Sequence, residues 1–324
     1  MARADLLLQI VRASAQKDQV LFKKALEALI AEERKLQHHV VASRLEQYLK
    51  PGATTDPIST PTPLDFQQTF YELVPKKALE TLIFPEKIIE VVKELIEEHR
   101  RQDLLRSHSL EPRHRILLAG PPGNGKTSLA EAVAHSLMLP LIVVRYEGII
   151  GSYLGETASK LKRLFDHVRS RNCVLFFDEF DTLGKERGDI HETGEIKRVV
   201  SSLLLQVDAL PSHVIVIAAT NHSELLDRAV WRRFQLRLSL SLPSKEQIEE
   251  WFRRFSTTVD VNLGFSPQEL AEALHGLSFA EIEEFSSDIR RRQILEYPDK
   301  NIRQIINERL DQWGKRFQLQ KRKD

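Results

Sequence analysis

The sequence is poor in the features that mark secreted and membrane-spanning proteins. A single cysteine, Cys173, stands among 324 residues, so no internal disulfide can form. Its place beside the apolar run Val174–Phe177 indicates a small buried side chain, which fits a reducing compartment. No apolar run reaches about 18 residues, and residues 1–11 lack a signal-peptide pattern. We therefore expect a cytoplasmic protein with no membrane partner.

Charge and histidine placement exclude further classes. The chain holds 47 Lys and Arg against 46 Asp and Glu, so its net charge of +1 gives no general attraction to nucleic acid. His38 and His39 lie in a helical pattern with no other ligand at metal spacing, which indicates an ordinary pair rather than a zinc site. Neither H-E-x-x-H nor a serine-protease motif occurs, so we expect no protease fused to this chain.

A glycine-rich loop is the most informative motif that is present. Gly120–Thr127 fits the phosphate-cradling pattern G-x-x-x-x-G-K-[ST], between an expected strand, Ile116–Ala119, and an expected helix, 128–137. Backbone N–H groups and the helix N-terminus would bind phosphate oxygens, and a chance glycine turn is the structural alternative. Lys126 would reach the β- and γ-phosphates, and Thr127 would bind Mg²⁺. The expected ATP-binding residues of this stretch are Gly120, Pro121, Pro122, Gly123, Asn124, Gly125, Lys126, Thr127 and Ser128.

Polar residues follow two later apolar runs. Asp178 and Glu179 come directly after Val174–Phe177, about fifty residues beyond the glycine loop. We expect Asp178 to hold Mg²⁺ and Glu179 to polarise the attacking water, although such a pair can also be a mere strand exit. Asn221 follows another expected strand and is placed to contact that water or the γ-phosphate. Its alternative is a turn-forming asparagine.

Two adjacent arginines, Arg232 and Arg233, end a short helical segment. Arginines in a last turn can simply complement the helix dipole. The functional interpretation is an arginine finger that reaches the γ-phosphate bound to a neighbouring subunit.

The chain divides into four parts by pattern. Residues 1–50 are expected to form a small three-helix bundle for docking a partner, and residues 51–64 form a Pro/Thr/Ser linker. Residues 65–242 alternate helix and strand, which predicts an α/β core with a parallel sheet sandwiched by helices. Its expected strands are Ile116–Ala119, Leu141–Arg145, Val174–Phe177, Val214–Ala218 and Leu236–Leu240. Residues 243–324 read as a helical lid domain.

The lid domain has sharp helix starts. Three capping boxes, beginning at Ser244, Ser266 and Ser278, each precede an apolar run with helical spacing. We expect about four helices here.

Together these motifs resemble an AAA ATPase of the AAA+ superfamily, from about residue 80 to about residue 300. The run 178–183 and the helical pattern 195–204 resemble the second nucleotide motif and the helix behind it. Asn221 takes the sensor-1 position. Arg232 and Arg233 take the two finger positions, in the compact Arg-Arg-Phe form of spastin and katanin relatives, without the Pro-Gly insertion between them.

The resemblance also implies how the lid and the assembly work. The segment 276–282 resembles the lid helix near the adenine, and Ala280 stands where other members carry a sensor-2 arginine. A phosphate-binding-loop NTPase fold, a hexameric ring with ATP and Mg²⁺ between subunits, and ATP hydrolysis are all implied by this likeness.

A candidate substrate-gripping segment lies between the glycine loop and the acidic pair. Residues 151–156 resemble the aromatic-apolar-glycine pore loop of the family, which would place Tyr153 and Leu154 on the axis of a ring. The structural alternative is a tyrosine-bearing turn that packs on its own domain. Ser152 stands where many relatives carry a basic residue. The polar segment 184–194 is placed like a second pore loop, or is a plain solvated loop.

Three functions follow from these features. The first is remodelling or unfolding of a protein client through a central pore, in the manner of a chaperone. The second is ATP-dependent regulation of a bound partner enzyme, such as a separate protease, since the chain faintly resembles bacterial stand-alone AAA ATPases that work beside one. A DNA-associated loader ATPase is the third, but it would need a basic groove or a winged-helix tail, and neither is visible.

Overall fold

This computed structural model describes most of the α/β core and the lid. The described residues are 6, 9, 13, 19–35, 42, 45, 46, 69–149, 154–183, 201–226, 228–259, 263–296 and 301–320. Several predictions fall outside them: the linker 51–64, the pore residue Tyr153, the segment 184–194 and the first part of the helix at 195–204.

The core of the protein is a six-stranded sheet. Its strands are β1 (Phe70–Leu73), β2 (Arg115–Ala119), β3 (Leu141–Val144), β4 (Cys173–Phe177), β5 (Val214–Thr220) and β6 (Leu236–Ser239). The spatial order is β1-β3-β4-β5-β2-β6, and all neighbours are parallel except β1, which pairs antiparallel with β3.

The sequence of β2 shows why both faces of the sheet are covered. Leu117 belongs to one buried cluster, while Ile116 and Leu118 belong to another on the opposite face. Successive side chains of a strand point to opposite faces, so a strand that is apolar throughout needs helices on both sides. Phe165 lies in the first cluster and Val133 in the second, and both are buried in helices that cover the sheet.

The described helices complete these layers and the lid. They are α1 (Gln19–Lys35), α2 (Glu86–Arg100), α3 (Gln102–Ser107), α4 (Lys126–Ser136), α5 (Tyr146–Ile149), α6 (Leu154–Arg169), α7 (201–208), α8 (Arg228–Arg233), α9 (Lys245–Val259), α10 (Pro267–Ala273), α11 (Phe279–Glu296) and α12 (Ile302–Gln320). None of the described helices is both long and apolar enough to cross a membrane.

The predicted fold class and all five predicted strands are confirmed, with ends that differ by at most two residues. The expected helix 128–137 begins earlier, at Lys126, directly after the glycine loop. Strand β1 was not predicted. It is a four-residue edge strand with two exposed side chains, so it lacks the continuous apolar run that identified the others.

The described residues of the C-terminal part form four helices, α9 to α12, and all three predicted capping boxes form. At Ser266 the side chain accepts a hydrogen bond from the Glu269 backbone, and the Glu269 carboxylate accepts from the Ser266 backbone. Phe252, Phe285 and Trp313 pack edge to face in the lid core, with ring centroids about 6 Å apart.

The N-terminal region contributes one described long helix, α1. Leu26 and Ile30 of this helix pack with Ala42 in a small cluster, and Phe22 and Leu45 lie against it. The expected three-helix bundle stays a prediction, because most residues between 1 and 50 lie outside those described.

Candidate active site

The glycine loop connects the carboxyl end of β2 to the N-terminus of α4. Gly120 has φ +146°, and a Cβ atom there would lie 2.0 Å from the backbone oxygen of Leu240. Gly125, with φ +82°, faces Phe84, which would lie 3.0 Å from an added Cβ. Only glycine fits this backbone conformation and this spacing without strain. The local sequence therefore dictates the tight turn that brings N–H groups toward a ligand.

Lys126 is held inside the loop. Its Nζ donates hydrogen bonds to the backbone oxygens of Gly120 at 2.7 Å and Pro121 at 2.9 Å. Burial lowers the pKa of Lys126, while the nearby carboxylates of Asp178 and Asp181 act to raise it. The positive charge of Lys126 therefore lies at the N-terminus of α4, where phosphate oxygens would bind.

The Mg²⁺-binding candidates lie side by side. The Thr127 hydroxyl donates a 2.9 Å hydrogen bond to Oδ2 of Asp178, and the Glu179 backbone N–H donates to Oδ1 of the same carboxylate. Glu179 is exposed and has φ +48°, a left-handed backbone that is unusual for a residue with a side chain. Such conformations cluster at functional sites, where they aim a side chain.

A residue that the sequence did not single out fixes the position of Asn221. Oδ1 of Asp181 accepts hydrogen bonds from the Thr220 hydroxyl at 3.0 Å and the Asn221 backbone at 3.2 Å. Asp181 is buried and lies just beyond the acidic pair. Its proximity to Asp178 in the sequence was the available signal, but the partner forty residues away was not visible.

The lid closes onto the glycine loop at the start of α11. The Ala280 backbone N–H donates to the Gly123 carbonyl at 2.9 Å, and the Phe279 N–H lies 3.4 Å from Oδ1 of Asn124. Asn124 is almost fully buried by this contact. The structure thus brings Ala280 to the loop by its backbone, with a methyl group as its side chain.

These groups surround a cleft of about 520 Å³, within the usual size of small-molecule sites. Three aromatic side chains that the sequence analysis did not select, those of Phe84, Trp251 and Phe279, also line the cleft. Lys77 was also missed, and its Nζ donates to the Ser128 hydroxyl at 2.8 Å. The cleft therefore combines charged and aromatic side chains, which suits a nucleotide.

Tyr146 lies beside this acidic region. Tyr146 begins α5, two residues after β3 ends at Val144. The Tyr146 hydroxyl is buried and has no hydrogen-bond partner among the described residues. Burial, with smaller contributions from the neighbouring carboxylates, raises the pKa of Tyr146 well above its usual value.

The two predicted finger residues lie at the other edge of the sheet. Lys126 and Glu179 follow carboxyl ends of strands, whereas Arg233 precedes β6 and forms an ion pair with Asp208. Asp208 also binds Arg115, the first residue of β2, at 2.7 Å. The four residue steps of β2 span about 13 Å, so the structure does not bring Arg232 and Arg233 to the nucleotide site of the same chain.

The side chains of the expected pore residues lie outside the described part of the structure. Leu154 begins α6, while Tyr153 lies just outside the described residues. Within the described ranges, no group of three or more His, Cys, Asp and Glu could hold a metal ion by itself.

Comparison with known proteins identifies the family. Residues 116–242 match the family model described as "ATPase family associated with various cellular activities (AAA)". The chain is 36% identical to the AAA family ATPase y4kL of Sinorhizobium fredii over 303 residues, which cover 91% of each protein.

Two further relatives are larger proteins. The chain is 36% identical over 208 residues to a cell division cycle protein 48 homolog of Archaeoglobus fulgidus, and 30% identical over 244 residues to a proteasome-associated ATPase of Geodermatophilus obscurus. It spans 28% and 40% of their respective lengths. The phosphate-cradling loop, the acidic pair and these similarities lead to one conclusion: the chain belongs to the AAA family of ATPases, and it is an ATP-hydrolysing enzyme.

Proposed function

We propose that this ATPase works as a ring, a hexamer, in which each nucleotide lies between two subunits, and that hydrolysis drives remodelling of a protein client. One observation carries the proposal: the phosphate-binding groups and the two candidate finger arginines occupy opposite edges of one sheet. A single chain therefore holds two incomplete halves, and a neighbouring subunit is needed to join them.

ATP and Mg²⁺ fit the residues of the cleft. Thr127 and Asp178 offer two hard oxygen ligands at 2.9 Å from each other. Mg²⁺ prefers oxygen ligands and usually keeps several waters, so two protein groups with phosphates suffice. When bound, the ion would neutralise charge on the phosphates.

The chain's own groups then have distinct tasks. Lys126 would bind the β- and γ-phosphates, and Glu179, which lines the cleft, would take a proton from water. Asn221, fixed through Asp181, would orient that water. The aromatic side chains that line the cleft would hold the base near Ala280.

Protein clients are supported by one relative's name and by the sequence. A proteasome-associated ATPase is 30% identical to this chain over 244 residues. The helix α6 begins at Leu154, directly after Tyr153, and shares the cluster that contains Phe177 of β4. A conformational change at Asp178 and Glu179, which follow β4, could therefore be transmitted through α6 to the segment that carries Tyr153.

A trap experiment tests client binding. Glu179→Gln protein, loaded with ATP, is incubated with lysate of the source cell, beside Glu179→Gln/Tyr153→Ala and Glu179→Gln/Tyr153→Phe. We expect the first variant to hold a set of proteins, the alanine variant to lose them and the phenylalanine variant to retain them. The reason is that the aromatic side chain at position 153, and not its hydroxyl group, would grip an extended client chain.

The contrary result identifies the alternative function. If one partner binds equally to all three variants, and removal of residues 1–50 abolishes that binding, the protein regulates a bound partner enzyme instead. That outcome would overturn remodelling through a pore and would leave ATP hydrolysis unaffected.

A further inference from the structure

The two adjacent arginines have different environments. Arg232 is exposed and forms no ion pair or hydrogen bond within the part of the chain that the structure describes. Arg233 is only 29% exposed, and its Nη1 is paired with Oδ2 of Asp208. Among the described residues, the Arg232 guanidinium therefore has no competing partner, whereas the Arg233 guanidinium is bound to a carboxylate.

Asp208 connects Arg233 to the sheet itself. Its second oxygen, Oδ1, accepts a 2.7 Å hydrogen bond from Nη1 of Arg115, the first residue of β2. The Gln235 carboxamide adds a parallel tie, because its oxygen accepts from the backbone N–H groups of His114 and Arg115. Hydrogen bonds and ion pairs therefore hold the C-terminal end of α8 against the amino end of β2, the strand that leads into the glycine loop.

The charges favour the same division of tasks. Three arginines share this edge, and Asp208 offsets one of their positive charges. Moving Arg233 onto a phosphate would leave Asp208 with one partner and would break a half-buried ion pair. Moving Arg232 breaks no hydrogen bond or ion pair among the described residues.

We propose that Arg232 alone contacts the nucleotide of the neighbouring subunit, and that Arg233 is a positioning residue that holds α8 in place through Asp208 and Arg115. This inference rests on the proposed ring with shared sites. It assigns unequal roles to two arginines that the sequence presents as equivalent.

Lysine substitutions separate the two roles. Arg233 uses one Nη atom toward one carboxylate oxygen, and a lysine ammonium can replace such a contact. A phosphate contact that uses the planar fork of arginine is not replaced by lysine. Arg232→Ala, Arg232→Lys, Arg233→Ala, Arg233→Lys, Asp208→Asn and Arg233→Ala/Asp208→Asn are each purified as rings, and ring size is checked before turnover is measured.

We expect both Arg232 variants to lose about a thousandfold or more in kcat. Arg233→Ala and Asp208→Asn should each lose about tenfold in kcat. Because coupled residues do not act additively, the double variant should lose no more than either single variant. Arg233→Lys should lose less than about threefold, because its ammonium can still pair with Asp208. The inference is overturned if Arg233→Ala and Arg233→Lys are as inactive as Arg232→Ala while Asp208→Asn is fully active.

Failure of the ring proposal has a different signature. If assembled rings of both Arg232→Ala and Arg233→Ala keep wild-type turnover, the arginines contribute to no shared site, and the proposed function and this inference both fall. If Arg233→Ala does not form rings, Arg233→Lys decides, since it must assemble and turn over within about threefold of the wild-type rate when the Asp208 contact is the one that matters.

Discussion

The two edges of the sheet differ in how their groups are arranged along the chain. At the carboxyl edge, the phosphate-binding groups come from one uninterrupted stretch, and Lys126 bonds to backbone oxygens five and six residues before it. At the amino edge, Arg115, Asp208 and Arg233 come from three distant segments. The glycine loop at the first edge is set mainly by local sequence, whereas the arginine cluster at the second depends entirely on tertiary packing.

This difference explains what each edge can tolerate. The loop glycines leave little room for a Cβ atom, so substitutions there should strain the backbone and reduce function. The amino edge is fastened by partly exposed ion pairs, which contribute modestly to stability. Changes there should alter the position of a helix more than the existence of the fold.

The largest expected effect is at the carboxyl edge. Lys126→Ala should weaken ATP binding by at least about 100-fold, because charge-assisted hydrogen bonds to phosphate are lost. Titration with a fluorescent ATP analogue measures this. Lys77→Ala is the matched control, since Lys77 lines the same cleft but bonds to Ser128, and it should cost less than about tenfold. Equal affinities for Lys126→Ala and wild type would contradict the phosphate assignment.

Glu179→Gln is expected to bind ATP and to hydrolyse it about 10²–10⁴-fold more slowly, because the group that takes the proton is gone. Steady-state phosphate release measures this rate. Glu283→Gln changes another carboxylate that lines the cleft, from the lid, and should slow turnover by less than about tenfold. If the two variants behave alike, the acidic pair is no different from any other carboxylate of the cleft.

The sequence predicts the carboxyl edge of the sheet better than the amino edge. The strand, glycine loop and helix around Lys126 were predicted because every determinant lies within about twenty residues. Asp208 was not predicted, since its partner Arg115 is 93 residues away and either side chain alone is an ordinary surface charge. Phe84 was missed for the same reason, because only the fold brings it against Gly125.

A pH titration probes the stability of the amino edge. His99 is buried, its Nε2–H donates to the Arg113 carbonyl just before β2, and burial lowers its pKa to about 4. The unfolded chain, with an ordinary histidine pKa near 6.5, binds a proton first as pH falls. Stability from this group is therefore full above about pH 6.5 and declines toward pH 4, by up to about 3 kcal/mol.

The comparison variant is His99→Gln, which keeps a donor but does not titrate. Urea unfolding of both proteins between pH 7 and pH 4 should show a flatter profile for the variant. Parallel profiles would mean that His99 is as easily protonated in the folded protein as in the unfolded chain.

The smallest expected effect concerns Tyr146. Its buried hydroxyl has no partner among the described residues, and an unpaired buried hydroxyl costs about 1–3 kcal/mol. Tyr146→Phe should therefore leave the free energy of unfolding unchanged or raise it by about 1 kcal/mol. A loss of more than about 1 kcal/mol on urea unfolding would show that the hydroxyl is bonded.

The most direct test of the central claim mixes two inactive proteins. Arg232→Ala/Arg233→Ala subunits keep the carboxyl edge, and Lys126→Ala subunits keep the amino edge. If neighbouring chains complete each site, ATPase activity returns on mixing and is greatest at intermediate ratios. Absence of recovery at every ratio, in samples where native mass spectrometry shows mixed rings, would contradict the account.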